Sequence, residues 1–309
     1  MFHLFKIAYR NLHRNRRRSL LTILAIGSAI ALLIFMGGIT EGELQGALDV
    51  AIRLQTGHIQ IHEESYEEGK NSLLWKDLLK NPEDIIVRAG ELNQVRAATQ
   101  YLWTGGILTV RDESVNVRII GMEPESEVNA PFREALVKGD YLNEDDRDRI
   151  YIGQRLADSL DITVGQNLSL ILTDANGQPV EAIFTICGLY NTGASSYDEI
   201  TVFLPLSKAQ SLTGTDGHAS AITILLHDQN QSEQVAQAFR APEITVKTWQ
   251  EMNGFILRFV ELSDAYMGVL NFIVLAVGAT VIVNTLLMSV FERTREIGIL
   301  MAIGMKSRQ

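Results

Sequence analysis

The residues in this chain best able to do chemistry form no recognisable catalytic set. His58 and His62 are four apart, a spacing that on a helix can chelate a metal ion. The run G-H-I-Q-I-H favours a strand, where the two rings stand ~13 Å apart along the chain and share no ion. His62-Glu63-Glu64-Ser65-Tyr66 fails the H-E-x-x-H pattern, and Gly193-Ala194-Ser195-Ser196-Tyr197 reads as a loop rather than a nucleophile turn. Glu144, Asp145, Asp146 and Asp148 lack the spacing and the glycine of a calcium loop, so they read as a solvated face. Cys187 is the one cysteine, which excludes an internal disulfide; in F-T-I-C-G-L-Y it reads as a small buried hydrophobe. No G-x-x-x-x-G-K-[ST] loop occurs, so any ATP hydrolysis is expected in another subunit. The chain is therefore expected to have no catalytic site, no metal and no cofactor of its own.

The densest charged surface is E-R-T-R-E at residues 292–296, followed by a short apolar helix that Gly304 is expected to stop. Pattern alone makes it the cationic flank of a membrane span. The distribution of charge over the 309 residues, net −10, says the same. Residues 1–39 carry six basic and no acidic side chains, residues 40–266 carry 17 and 35, and residues 267–309 carry four and two. The acidic balance excludes a nucleic-acid partner. With 46% hydrophobic residues and ordinary glycine and proline usage, the chain is not disordered.

Two uncharged runs position these groups. Leu20–Ile39 has 20 residues and Met267–Phe291 has 25, each enough to cross a hydrocarbon core ~30 Å thick as a helix. Transmembrane helices are thus expected at 19–39 and 267–291. A cleaved signal peptide is the competing reading of the first run, but cleavage after Ala29-Ile30-Ala31 would fall inside it. Lys6, Arg10, Arg14 and Arg16–Arg18 precede the first run, while Arg293, Arg295, Lys306 and Arg308 follow the second. The positive-inside rule then places both termini in the cytoplasm and residues 40–266 outside it. Residues 2–14 segregate apolar from cationic side chains on a helical wheel, so an amphipathic entry helix over 1–18 is expected in the headgroup plane. Ala25/Ala29 and Gly27/Ala31 permit close helix approach, and Asn271 and Asn284 want polar partners, which implies helices beyond these two.

Stalk helices are expected at 40–56 and 248–266. In the second, Met252, Phe255, Ile256, Phe259, Val260, Leu262 and Tyr266 fall on one side, with Glu251, Arg258, Glu261 and Asp264 opposite. That apolar side packs on the first stalk, walls a cavity shared with a partner subunit, or both. Residues 57–247 read as a mixed α/β core. Strands are expected at 58–62, 107–111, 115–121, 168–172, 180–188 and 222–227, and helices at 153–160, 206–212 and 232–239. Asn176-Gly177 marks a hairpin, residues 223–248 read as one β-α-β unit, and 128–148 as surface loop. The fold class is a membrane protein whose transmembrane α-helices carry a large inserted α+β extracytoplasmic domain on a helical stalk.

The segment after the second span closely resembles that of FtsX/MacB-type (type VII) ABC transporter permeases, where E-R-[TRK]-x-E-I-G-x-[LMR]-x-A-[ILV]-G forms a coupling helix seated on the ATPase. Glu292, Arg293, Glu296, Ile297, Gly298, Ala302 and Gly304 match it, and Arg295 lies inside it. I-Y-I-G-Q-R-L-A-D-S-L-D-I-T-V-G-Q at 150–166 resembles the family's extracytoplasmic core, and F-K-I-A-Y-R-N-L its entry helix. The resemblance implies a MacB-like periplasmic core, a separate ABC ATPase that binds ATP-Mg, and a second permease subunit in a homo- or heterodimer in the bacterial inner membrane. It also implies mechanotransmission, in which ATPase closure moves the stalks and the external domains without substrate crossing the bilayer. Members have four spans, so the chain, stopping at Gln309, is expected to be a fragment or truncated product.

Q-T-G-H-I-Q-I-H after the first stalk, and a start directly at the entry helix without a fused ATPase, resemble the LolC/LolE lipoprotein-releasing branch more than MacB. In that branch acyl chains enter between spans and stalks, which implies Ile34, Phe35, Leu44, Phe255, Ile256, Phe259, Leu262 and Tyr266 as lining residues. A lipoprotein cargo, a periplasmic acceptor and membrane lipids are then the further partners. The alternatives are a MacB-like export permease of other substrate and a two-span extracytoplasmic sensor or scaffold without an ATPase.

Overall fold

The computed structural model describes residues 16–66, 73–111 and 113–303. The amphipathic entry helix over 2–14 and Gly304 lie outside them. The chain divides into two compact units, one of residues 16–46 with 255–303 and one of residues 47–254.

The first unit is a pair of long helices, α1 (Arg16–Ala51) and α9 (Gly254–Ala302), both long and apolar enough to cross a membrane. At 1.5 Å per residue α9 runs ~74 Å, with no proline inside it to break the hydrogen-bond ladder. The expected junctions between stalk, span and coupling segment are therefore not breaks, and residues 254–302 form one rod. The helices run antiparallel in register. A Cβ at Gly37 would stand 3.3 Å from Met267 Cε, and one at Gly278 would stand 3.9 Å from Ile26 Cγ2. Ala29, Leu33, Gly37, Thr40 and Leu44 recur every three or four residues as the less exposed side of α1; Val260, Ser263, Met267, Leu270 and Val274 do so on α9. The seam uses Ala29 and the two glycines, whereas Ala25, Gly27 and Ala31 face outward, as do Asn271 and Asn284.

The second unit is built on one ten-stranded sheet. Its strands are β1 (Ile59–Glu63), β3 (Val95–Val110), β4 (Glu113–Met122), β5 (Leu136–Gly139), β6 (Arg149–Gly153), β7 (Asn167–Thr173), β8 (Pro179–Tyr190), β9 (Thr201–Pro205), β11 (Ala221–Leu226) and β12 (Ile244–Thr248). A small separate pair, β2 (Leu79–Lys80) with β10 (His218–Ala219), lies off it. Six strands close on themselves: β3 pairs with β4, β4 with β9, β9 with β6, β6 with β8, β8 with β7, and β7 again with β3. Alternate residues fill the resulting barrel, among them Leu102, Leu108, Ile119, Ile152, Leu170, Phe184 and Val202.

Beside the barrel, β1 lies between β11 and β12 and runs antiparallel to both. The β-α-β unit read from the sequence thus forms through α7 (Ser232–Gln237), with a third strand inserted between its two. Ile59, Ile61, Ile222 and Ile224 pack there under Val235, Ala236 and Phe239.

The 16-residue β3 holds the two halves together. Its first part pairs with β11 and its last part with β7, and Gly105-Gly106 stands at the handover. A Cβ at Gly106 would lie 2.6 Å from Ile119 Cδ1 and 2.7 Å from the Ile171 carbonyl oxygen, so only glycine lets the strands close here. The expected loop over 128–148 is loop only in its polar second half. Its first half holds α3 (Ala130–Glu134) and β5, because Val128, Phe132 and Leu142 are drawn into an aromatic layer on the barrel's outer face.

Candidate functional site

Two connections join the core domain to its helices, and they are tied to each other. After α1 the chain makes a wide π-type turn, Ile52–Thr56, ended by Gly57 at φ +58°, whose N–H donates to the Ile52 carbonyl at 2.8 Å. A side chain at Gly57 would run into Thr223. The return begins at a capping box. Thr248 Oγ1 accepts from the Glu251 N–H at 3.4 Å, and Glu251 Oε2 accepts from the Thr248 N–H at 2.8 Å. The short helix α8 (Trp249–Met252) follows, then a break at buried Asn253 that divides the expected 248–266 stalk helix. The Asn253 amide donates to the Trp249 carbonyl at 2.9 Å and competes with the helical ladder. It also donates to Thr56 Oγ1 at 3.3 Å, while the Trp249 N–H donates to the His58 carbonyl at 2.9 Å.

Of the eight expected lining residues, six stand outward. Phe255 is 83% exposed, Phe259 52%, Leu262 66% and Tyr266 63%, and Ile34 and Phe35 are equally open. Leu44 and Ile256 are half-buried, on the side of the helices that faces the seam. The eight therefore do not form one surface, because a helix has room for only about half its circumference on any one side. Glu292, Arg293, Arg295, Glu296, Gly298 and Ala302 all lie within α9. Of these Gly298 stands in open space and Ala302 is the last helical residue.

A cleft of about 270 Å³ opens on the outer sheet face of the core domain. Strand register carries its floor across five strands: Lys247 on β12, Gln60 and His62 on β1, Tyr101 and Trp103 on β3, Arg118 and Ile120 on β4, Phe203 on β9. Leu54, Thr56, Met252, Phe132 and Tyr197 complete the wall. His62 is stacked on Tyr66 with centroids 3.8 Å apart, and Trp103 is tilted toward both. His62 Nδ1 lies 3.0 Å from the Ser220 carbonyl and Nε2 lies 3.1 Å from Gln60 Oε1. Burial, opposed by the Ser220 hydrogen bond and aided by the Lys247 charge, lowers its pKa to about 4, so the ring is neutral at pH 7.

His58 serves elsewhere: its Nδ1 accepts from the Leu226 N–H at 2.9 Å. Cys187 is buried, donates to the Ile150 carbonyl at 3.2 Å, and has its pKa pushed up to about 12 by desolvation. The cleft was not read from the sequence. The signal available was alternation, Gln60/His62 and Tyr101/Trp103 at spacing two, in strands whose other face is also buried.

The MacB-like periplasmic core domain model matches residues 19–241, and the FtsX-like permease C-terminal model matches residues 268–309. The chain belongs to the MacB-like periplasmic core domain family. Among curated relatives, this MacB-like chain is 26% identical over 302 residues to the lipoprotein-releasing system transmembrane protein LolC of Neisseria meningitidis serogroup B, a match covering 91% of this chain and 67% of that one. It is 24% identical over 323 residues to the macrolide export ATP-binding/permease protein MacB of Neisseria meningitidis serogroup A, covering 97% of this chain and 47% of that one. The chain therefore spans between about half and two thirds of the length of these two relatives. The periplasmic region of MacB from Actinobacillus actinomycetemcomitans aligns with a TM-score of 0.45 at 13% identity, over 68% of this chain and 97% of that one. The MacB-like chain is thus a membrane protein of the FtsX/MacB permease type with an extracytoplasmic domain.

Proposed function

We propose that this protein is the permease subunit of an ABC transporter working by mechanotransmission, and that its work is release of lipoproteins from the inner membrane. In this reading a separate ATPase binds ATP-Mg and seats the segment 292–304, a second permease subunit completes a dimer, and residues 40–266 lie in the periplasm with both termini cytoplasmic. Arginines and lysines flanking the two apolar runs support the orientation.

One observation carries the proposal. Phe255, Phe259, Leu262 and Tyr266 form an open apolar row on the same unbroken helix that contains Glu292–Glu296. Contiguous apolar surface of this kind marks an interaction site, and a continuous helix transmits displacement along its length. The row lies among Arg258, Glu261 and Asp264, charges that keep it out of the hydrocarbon layer. The similarity to LolC supports an acylated protein as the cargo. Export of another substrate is the second reading, supported by MacB relatives that match at similar identity over more of the chain.

Photo-crosslinkers at Phe255 and Phe259 in the full-length protein test the cargo. Capture of an acylated protein is expected; capture of a second permease copy alone would remove the lipoprotein reading.

A further inference from the structure

The two apolar helices of the first unit end level with each other on one side of the membrane and apart on the other. Their seam sets the register, with Gly37 beside Met267 and Ile26 beside Gly278. On that register the first charges at one end, Glu41 of α1 and Asp264 of α9, stand within one residue of the same level. At the other end Leu20 stands level with Asn284, and Arg16–Arg18 stand level with Leu286–Met288. There the uncharged run of α9 continues through Thr285–Phe291, ~10 Å further than that of α1. Leu286, Leu287, Met288, Val290 and Phe291 are all exposed.

Helices held in one register share one bilayer, whose hydrocarbon core is ~30 Å thick. Leu20–Ile39 alone fills it, which leaves 285–291 of α9 in the headgroup layer. Sinking the whole run of α9 instead draws three arginines into hydrocarbon, where charge is costly. The arginines reconcile the two boundaries. Side chains of a helix lean toward its N-terminus, here away from the bilayer centre, so cations at 16–18 reach toward the level where the apolar run of α9 stops. They arrive without counter-charge. Arg16 and Arg17 are exposed and make no ion pair among the described residues, and residues 1–39 hold six basic and no acidic side chains. Guanidiniums in successive positions repel one another unless anions lie among them. A phosphodiester accepts two parallel N–H bonds from such a fork. A zwitterionic headgroup brings its own ammonium and leaves the cluster's charge in place; an anionic headgroup neutralises it.

We propose that Arg16–Arg18 bind anionic phospholipid headgroups, the phosphodiesters on the guanidinium forks and the glycerol and first acyl carbons along Thr285–Phe291 of α9. The short span of α1 and the long span of α9 then meet one membrane surface.

Electron spin resonance of chain-labelled lipids, with the full chain in phosphatidylcholine bilayers, tests this. Labelled phosphatidylglycerol should associate about fivefold more strongly than labelled phosphatidylcholine, the ratio that one cation near an anionic headgroup accounts for. Arg16→Gln, Arg17→Gln and Arg18→Gln together should bring the ratio to about one, while Lys306→Gln with Arg308→Gln should leave it unchanged. Arg17→Gln alone keeps five of the six cations that set orientation. It should lower the ratio about twofold and decides the matter if the triple variant does not insert. No preference in the unaltered chain, an equal fall in the Lys306 and Arg308 variant, or loss of the preference to inorganic phosphate at matched ionic strength would each overturn the proposal. So would an unchanged ratio in the inserted arginine variants; lost ATPase co-purification alongside it would give the arginines to a protein partner.

Discussion

Asn253 and Thr56, 197 positions apart, meet where the chain leaves and re-enters the core domain, the Asn253 amide donating to the Thr56 hydroxyl at 3.3 Å. The same amide holds the Trp249 carbonyl, and the Trp249 N–H holds the His58 carbonyl, so both connections are fastened by one small network. In the mechanism proposed above, this fastening makes the two connections move together.

Asn253→Ala removes a buried amide with two acceptors. A loss of about 1–2 kcal/mol is expected from the two side-chain hydrogen bonds, because the Trp249 carbonyl keeps the backbone N–H of position 253 at 3.0 Å. Urea unfolding reads the stability. In the full-length protein, the proposed mechanism predicts that cargo release falls while basal ATP hydrolysis persists. Loss of both together would show that the network matters for folding alone.

His62 sets a pH dependence. Its folded-state pKa of about 4 is below the ordinary value of 6.5 through desolvation foremost, so between those values the unfolded chain binds the proton more readily. Stability from this group is complete above about pH 6.5 and is lost as pH falls toward 4, by on the order of 3 kcal/mol. His62→Gln, which keeps a donor for Ser220, should flatten that part of the stability profile. An imidazole titration by NMR with a midpoint at or above 6 would contradict it.

Gly105 and Gly106 are neighbours with opposite surroundings. Gly106→Ala places a methyl against the Ile171 carbonyl and should cost about 1–3 kcal/mol by overpacking. Gly105→Ala meets open space and should be neutral or slightly stabilising. Equal losses in denaturant unfolding would mean that the barrel does not close at this point.

The helices were legible because 20 and 25 uncharged residues admit few other readings, and strand centres such as 168–172 and 180–188 were legible from apolar residues at alternate positions. The long strand β3 was legible only in its last quarter, residues 107–110. Its first three quarters include Ala97-Ala98-Thr99-Gln100 and then Thr104-Gly105-Gly106, and show no clean period because they serve two different partners. Barrel closure and the cleft were not legible at all. Lys247, His62, Trp103 and Arg118 come together only through cross-strand register, which no local pattern encodes. The stalk pattern was legible as amphipathic. Which half of it met the neighbouring helix depended on the Gly37–Met267 register.

The charged segment of α9 yields the sharpest functional test. Glu292, Arg293, Arg295 and Glu296 place two acidic and two basic side chains within five residues at the cytoplasmic side of the proposed topology, a pattern suited to a charged protein surface rather than to lipid. Glu292→Lys with Glu296→Lys leaves the apolar run 267–291 intact, so membrane insertion should be unchanged. Like charges then meet wherever the ATPase presented cations, and association of the full-length protein with the ATPase should fall at least tenfold, read by co-purification. Restoration by opposite reversals on the ATPase would locate the contact. Undiminished co-purification would instead separate these carboxylates from ATPase binding and leave them as a membrane flank.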